Sequence, residues 1–391
     1  MSRMHKRPLA CVMGSMDLVR AIGLAGVRCA VVARPGSPTL YSRFTETALP
    51  WVDFSASTDL LIDALIGFGE TQAEPPVLYF ETDAQLLLVS RHRRRLAQAF
   101  RFALADVQLV EDLVDKSRFL ELAERLDLPV PATRRLRPSV EAEAPDLDLR
   151  FPVIVKPHRR DKAWQEAGKA LRVDSQAELR ALWPQLAEGR QDLLVQEMIP
   201  GPETGIESYH VYVDERGSIA GEFTGRKIRT YPTVYGHTTS LEITDEADVA
   251  ALGRSLTDRL GLQGVAKFDF KRAPDGRLHL LEVNPRFNLW HHPGAVAGVN
   301  LPGLIYGDLA GLPRSAAMPR AKAGIRWVHL LNDRLAARES GIPMSAWLPW
   351  ALGCEAKVAV SWDDPMPLLL GLWHRRFSTP NDSGHAVPGK A

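Results

Sequence analysis

The chain has 391 residues, more than one hydrophobic core ordinarily serves, so two or three packed domains are expected. Its 48 basic and 47 acidic side chains nearly cancel, which removes the field that non-specific binding to nucleic acid or a membrane surface requires and favours a small-molecule substrate. Cys11, Cys29 and Cys354 lie far apart, which excludes a disulfide framework or a zinc ribbon and fits reduced thiols in a cytosol.

Met1 to Pro8 carries basic residues, but the apolar stretch after it is broken by Gly14, Ser15 and Asp17. It therefore lacks the apolar core of a signal peptide. The late apolar run Pro367 to Trp373 is far shorter than the roughly 20 residues that cross a bilayer. A soluble, cytoplasmic protein is expected.

Leu9 to Met13 and Val27 to Ala33 are short apolar runs flanking Leu18 to Leu24, whose spacing suits a helix. The chain thus opens as α/β, strand, helix, strand. Gly14 follows the first strand and Gly26 ends the helix. Companion glycines are missing and no acidic residue closes the second strand, so a tight strand-to-helix turn is favoured over a dinucleotide cradle.

Val77 to Phe80 reads as another buried strand, followed by Glu81, Thr82, Asp83 and a helix through Ser90. Arg91 to Arg95 reads as a solvated helix face. From Asp115 a new pattern begins. Lys116, Phe119, Leu120, Leu122 and Leu126 suit an amphipathic helix stopped by Pro129 and Pro131, and Pro138 to Arg150 reads as a surface connection. Phe151 to Lys156 is then a strand, Ala177 to Glu188 a helix and Asp192 to Met198 a strand. Residues 207 to 231 hold two or three antiparallel strands, Ala247 to Leu260 a helix, and Val265 to Asn284 a hairpin.

That hairpin carries the most chemistry. Strand side chains alternate, so Lys267 and Asp269 share one face while Phe268 and Phe270 face a core; Glu282 and Asn284 share a face on the second strand. An even-numbered loop centred on Pro274 and Asp275 places Lys267 opposite Glu282 and Asp269 diagonal to it. A three-residue turn with a Gly bulge would turn Asp269 to the wrong face, so the even loop is expected. Asp, Glu and Asn oxygens are hard ligands suited to Mg²⁺, which completes its shell with water and phosphate. Asp269, Glu282 and Asn284 are therefore the candidate metal ligands. The bland alternative, an exposed Glu282–Lys267 ion pair, gives no reason for Asn284-Pro285-Arg286 to follow.

Four motifs now stand in order: Asp115-Lys116 opening a helix, Val155-Lys156-Pro157 ending a strand, Gln196-Glu197-Met198-Ile199-Pro200-Gly201-Pro202-Glu203, and Asp269 with Glu282-Val283-Asn284-Pro285-Arg286. Together, from about Val114 to Leu304, they resemble the ATP-grasp superfamily, in particular its carboxylate-amine ligase branch that includes the D-alanine and D-aspartate ligases. The resemblance implies a Rossmann-like domain at 1–113, an ATP-grasp small lobe at 114–191, a large lobe with the metal site at 192–312 and a C-terminal extension at 313–391.

It also implies roles. Lys116 and Lys156 would reach the α and β phosphates of ATP. Gln196, Glu197 and the backbone of Ile199 would meet adenine, and Glu203 the ribose hydroxyls. Asp269, Glu282 and Asn284 would hold Mg²⁺ or Mn²⁺ ions bridging the β and γ phosphates. Lys267 matches a position that is usually Arg in D-alanine ligases, where it helps stabilise transferred phosphate, and Arg286 matches the arginine of the Asn-Pro-Arg ending. One departure stands out. The loop after Lys156 is Gly- and Ser-rich in D-alanine ligases but here reads His158-Arg159-Arg160-Asp161-Lys162-Ala163-Trp164, so phosphate would be covered through Lys169 or the arginines rather than by backbone amides.

On the segment Thr224 to Tyr231, Arg226 or Arg229 would clamp a substrate carboxylate and Lys227 would touch the γ phosphate, with a solvated basic strand an equal alternative for Arg229. Trp290, His291 and His292 lie on a loop expected to border the acceptor pocket; adjacent histidines are otherwise surface residues. The tryptophans beyond Gly311 admit an aromatic substrate wall or a homodimer contact, although packing of an added subdomain is the commoner use. The implied activity is ATP-dependent joining of a small-molecule carboxylate to an amine through an acyl phosphate. A carboxylase acting through carboxyphosphate, a nucleotide-binding regulatory protein without turnover and an oxidoreductase built on the first domain are the alternatives.

Overall fold

The computed structural model describes residues 7–53, 57–140, 143–157, 170–189, 191–233, 236–358 and 360–370. The chain forms two compact units: residues 1–104, 286–320 and 354–391 make the first, 105–285 and 321–353 the second. The extension expected at 313–391 is therefore divided between the two. The stretch from Arg286 to Arg320 belongs with the opening α/β segment.

In the first unit, β1 (Ala10–Met13), β2 (Cys29–Ala33), β3 (Thr45–Pro50) and β4 (Val77–Phe80) form a parallel sheet in the order β3-β2-β1-β4. Every residue of β1 and β4 is buried, which is why both read as continuous apolar runs: a parallel sheet is covered on both faces. The crossover helix Met16–Leu24 ends before Gly26, whose φ of 75° needs a residue without Cβ. Thr82 and Gln85 form a reciprocal capping box that starts the helix Asp83–Arg91.

In the second unit, β5 (Thr133–Leu136), β6 (Val153–Pro157), β7 (Leu171–Val173) and β8 (Leu193–Glu197) form an antiparallel sheet in the order β5-β8-β6-β7. Val153, Val155, Val173, Leu193 and Val195 share a core with Leu179 and Leu186 of the helix Gln176–Glu188. The boundary expected at 191/192 is corrected by this sheet, because β8 buries its alternate apolar residues against β6.

The larger sheet of the same unit runs β13-β12-β9-β10-β11-β14, with β9 Ile206–Val213, β10 Ile219–Tyr231, β11 His237–Thr244, β12 Gly264–Arg272, β13 Leu278–Asn284 and β14 Arg326–Val328. On one face Phe268 lies 5.8 Å from Tyr209, ring to ring. The helix Ala247–Arg259 covers that face closely: a Cβ on Gly253 would sit 2.2 Å from the Tyr209 ring. The opposite face carries the candidate ligands. Among the described residues, no helix is long and apolar enough to cross a membrane.

Candidate functional site

The hairpin register differs from the even loop expected. Ala273 N donates to Arg277 O at 2.8 Å and Gly276 N to Ala273 O at 2.9 Å, with Gly276 at φ 86°, so the chain turns through Pro274-Asp275-Gly276 with glycine in the left-handed position. Lys271 then pairs with His279 and Phe270 with Leu280. Continued regularly, this register would turn Asp269 away from Glu282. A bulge between Asp269 and Phe270 restores the face: Asp269 stands directly opposite Glu282, and Lys267 directly opposite Asn284. The cause is visible in the side chains. Leu280 and Val283 are both buried while Glu282 is exposed, a spacing of three that a regular strand cannot put on one face.

Asp269 is 2 % exposed and almost enclosed by donors. Lys267 Nζ lies 2.6 Å from its Oδ2, and Ser208, its neighbour on β9, donates to Oδ1. Burial by itself raises the pKa of this carboxyl, but the Lys267 and Lys227 charges and the hydrogen bonds from Lys267 and Ser208 override it and hold Asp269 ionised well below the usual carboxylate range. Asn284 Nδ2 donates to Glu282 Oε1 at 3.1 Å. Two carboxylates and one amide thus share one face, with two lysines beside them. These are hard oxygen donors and fit Mg²⁺ or Mn²⁺. Among the described residues no group of three or more His, Cys, Asp or Glu side chains is placed to hold a metal, so an ion held by Asp269 and Glu282 would need further oxygen donors such as the Asn284 amide and water.

The smaller sheet brings several of the nucleotide candidates together. Lys156 Nζ donates to Gln196 Oε1 at 3.1 Å, Gln196 Nε2 to Thr133 Oγ1 at 3.0 Å, and Lys116 Nζ to the Pro157 carbonyl at 3.2 Å. Lys116 thus reaches the end of β6, the strand that carries Lys156. Glu197 is engaged by Arg150, whose backbone N donates at 2.8 Å and guanidinium at 3.0 Å. Ile199 is buried. Glu203 opens a short 3-10 turn, Glu203–Gly205; its side chain, and Lys169 with the whole basic loop 158–169, lie outside the described residues.

Both candidates for the substrate clamp are paired with carboxylates of the protein. Arg229 grips Asp333 through both Nε and Nη2, at 2.9 and 2.7 Å, and its guanidinium lies 4.0 Å from the centre of the Trp350 ring. Asp333 is fully buried and also accepts from Thr239 Oγ1 and Trp347 Nε1, each at 2.9 Å. Arg226 pairs with Glu242. Both arginines thus serve carboxylates of their own unit. Trp327, Trp347 and Trp350 pack in this unit too, whereas Trp362 is fully exposed and Trp373 lies outside the described residues.

The loop expected at Trp290 to His292 is instead the start of a buried helix, His291–Val296, in the first unit. Trp290 and His291 are 1 % and 0 % exposed, and His292 Nδ1 sits 2.9 Å from Asp17 Oδ1. Small residues Gly294 and Ala295 let this helix lie against Met16–Leu24, which removes the histidines from a solvent-facing substrate set. Arg286 donates to Asp83 and to the Glu81 carbonyl. The turn after β1 is filled as well: Ser15 donates through N and Oγ to the Glu81 carboxylate. A carboxyl group of the protein therefore occupies the helix start where a dinucleotide phosphate would bind, in agreement with the tight-turn reading of Gly14.

Asp333 and Ser208 were not singled out from the sequence. Ser208 alternates onto the face of Asp269 only once β9 is known to lie beside β12, and Asp333 stands 104 positions from Arg229.

With this geometry in hand, comparison with known proteins is specific. A family described as "ATP-grasp in the biosynthetic pathway with Ter operon" matches residues 189–332. The D-aspartate ligase of Enterococcus faecium is 25% identical over 238 residues, 58% of this chain and 56% of that protein. A D-alanine–D-alanine ligase of Pseudomonas entomophila is 27% identical over 209 residues, 50% of this chain and 62% of that protein. The chain thus spans little more than half the length of these curated relatives. An N5-carboxyaminoimidazole synthetase from Staphylococcus aureus shares the fold, with a TM-score of 0.62 at 14% identity over 86% of this chain and 85% of that one. Residues 189–332 thus match an ATP-grasp family, and the chain is similar in sequence to D-aspartate and D-alanine ligases.

Proposed function

We propose that this protein is an ADP-forming carboxylate-amine ligase acting on small, amino-acid-like substrates. The single observation that carries the reading is the pairing of Asp269 with Glu282, flanked by Asn284, Lys267 and Lys227, on one sheet face. A carboxylate is a poor acyl donor because its charge is delocalised and oxide does not leave. Transfer of the γ-phosphoryl group makes it an acyl phosphate, in which phosphate leaves instead.

Each residue then has a task. Asp269, Glu282 and Asn284 would hold a divalent cation, Mg²⁺ or Mn²⁺, which when bound neutralises charge on the β and γ phosphate oxygens. Lys116 and Lys156 would hold the phosphate tail as point charges, Gln196, Glu197 and the Ile199 backbone the base, and Glu203 the ribose. Lys267 and Lys227 would supply positive charge to the oxygens of the transferred group, a task of positioning that needs no nucleophilic side chain. In the first step a substrate carboxylate oxygen attacks the γ phosphorus and ADP leaves. In the second the amine nitrogen attacks the acyl carbon, phosphate leaves with the C–O bond, and the nitrogen gives up a proton.

The test is phosphate release from ATP and Mg²⁺ across a library of amino acids. Release that needs both a carboxylate and an amine supports the ligase. Release driven by bicarbonate alone would make the protein a carboxylase, and nucleotide binding without turnover would make it a regulator. Glu282→Gln is expected to abolish turnover with the fold intact; activity within a few-fold of wild type refutes the metal assignment.

A further inference from the structure

We infer that Lys267 is the resident counter-ion of Asp269 and makes the site take a divalent cation together with nucleotide and not alone. The inference rests on the reading of Asp269, Glu282 and Asn284 as the metal set, and deepens it.

Lys267 and Asp269 stand two apart on β12 and so project from the same face. Nζ lies 2.6 Å from Oδ2, with the two side chains 11 % and 3 % exposed. A contact this close and this sheltered is a satisfied ion pair, with Ser208 on the other carboxylate oxygen. Asp269 therefore has no spare charge to offer an arriving dication. Lys227 adds a second positive charge acting on the same carboxylate.

The charges on this face explain why nucleotide matters. Asp269 and Glu282 bring two negative charges and Lys267 and Lys227 two positive ones, and Lys271, next but one to Asp269 on β12, adds a third positive charge to the face. A bare cation must separate an ammonium from its carboxylate and then sit within a few ångströms of it, where repulsion is strong because water is scarce. A triphosphate tail changes both terms. It brings several negative charges, and it gives the displaced ammonium new oxygens to bind. Lys267 then exchanges a carboxylate for phosphate with no covalent change, and arrives beside the group to be transferred. Had an uncharged residue stood at 267, Asp269 would keep the Ser208 hydrogen bond and the Lys227 charge but lose the ammonium in contact with Oδ2, leaving that oxygen open to a divalent ion.

The experiment measures Mn²⁺ binding by electron paramagnetic resonance on the full chain, with and without a non-hydrolysable ATP analogue. Wild type is expected to bind Mn²⁺ weakly alone and far more tightly with the analogue. Lys267→Met should bind Mn²⁺ alone at least about tenfold more tightly than wild type, since a nearby like charge has gone, whereas Lys267→Arg should stay as weak as wild type. Equal affinities for wild type and Lys267→Met without nucleotide would overturn the inference. If Lys267→Met does not fold, wild type alone decides: Mn²⁺ binding as tight without the analogue as with it overturns the inference. Asp269→Asn separates the two levels. If it leaves Mn²⁺ binding with the analogue unchanged, the metal reading falls; if it abolishes that binding while Lys267→Met is neutral, only the role of Lys267 falls.

Discussion

Replacing Asp333 by alanine isolates what the arginines of β10 do. Asp333 is fully buried and accepts two hydrogen bonds from Arg229, itself 14 % exposed, and one each from Thr239 and Trp347. Removing one partner of a buried ion pair costs about 3–5 kcal/mol, mostly because the other charge is left without compensation. The two neutral donors would add about 1 kcal/mol each if independent. They share one carboxylate, however, so the terms overlap. Asp333→Ala is therefore expected to lose about 4 kcal/mol. The double variant Arg229→Met with Asp333→Leu should recover more than half of that, because no charge is stranded. Urea titration followed by tryptophan fluorescence and by circular dichroism suits the question, as Trp347 and Trp350 border the pair. A loss below about 1 kcal/mol for Asp333→Ala would refute the reasoning. So would an Arg229→Met variant of unchanged stability whose KM for the carboxylate rises, since that is the behaviour of a substrate clamp.

Other consequences are open to measurement. Burial alone holds the His291 imidazole down to about 3, so below about pH 6.5 the unfolded chain takes a proton that the folded chain refuses. The stability this gives is complete above that pH and is lost as pH falls towards 3, by about 2 kcal/mol at pH 5. His291→Leu should flatten the difference in urea midpoint between pH 7 and pH 5, and an unchanged difference would count against the argument. Gly253→Ala would place a methyl group 2.2 Å from the buried Tyr209 ring, whose hydroxyl is fixed by Glu222 at 2.6 Å. Despite a better helix propensity it should cost about 1–3 kcal/mol, and a variant more stable than wild type would show the ring to be movable.

Sequence patterns reported elements more faithfully than partners. The runs at Leu9 to Met13 and Val77 to Phe80 became β1 and β4 because a covered parallel sheet leaves no polar alternation to confuse. The helix from Lys116 was legible because Asp115 accepts from Ser117 and Arg118 at its start. Lys267, Asp269, Glu282 and Asn284 were found together, yet their pairing was misread, since the turn alone was used to set register. The apolar spacing of Leu280 and Val283 held the missing information. Arg229 could not be interpreted from its neighbours, because its carboxylate comes from a helix 104 positions away. Trp290 to His292 misled for another reason: polar rings suggested a surface, whereas the small residues after them permit close helix packing.

The bulge beside Asp269 has a consequence for how this hairpin tolerates change in length. Leu281 is the surplus residue between the pairs Phe270–Leu280 and Asp269–Glu282. Deleting it would leave a regular ladder in which the same two carboxylates still face each other. Deleting Glu282's other neighbour, Val283, would swing Asn284 to the far side. Two apolar positions that flank Glu282 thus differ completely in what their loss would do: one is a spare link in the chain, the other fixes the face on which Asn284 stands.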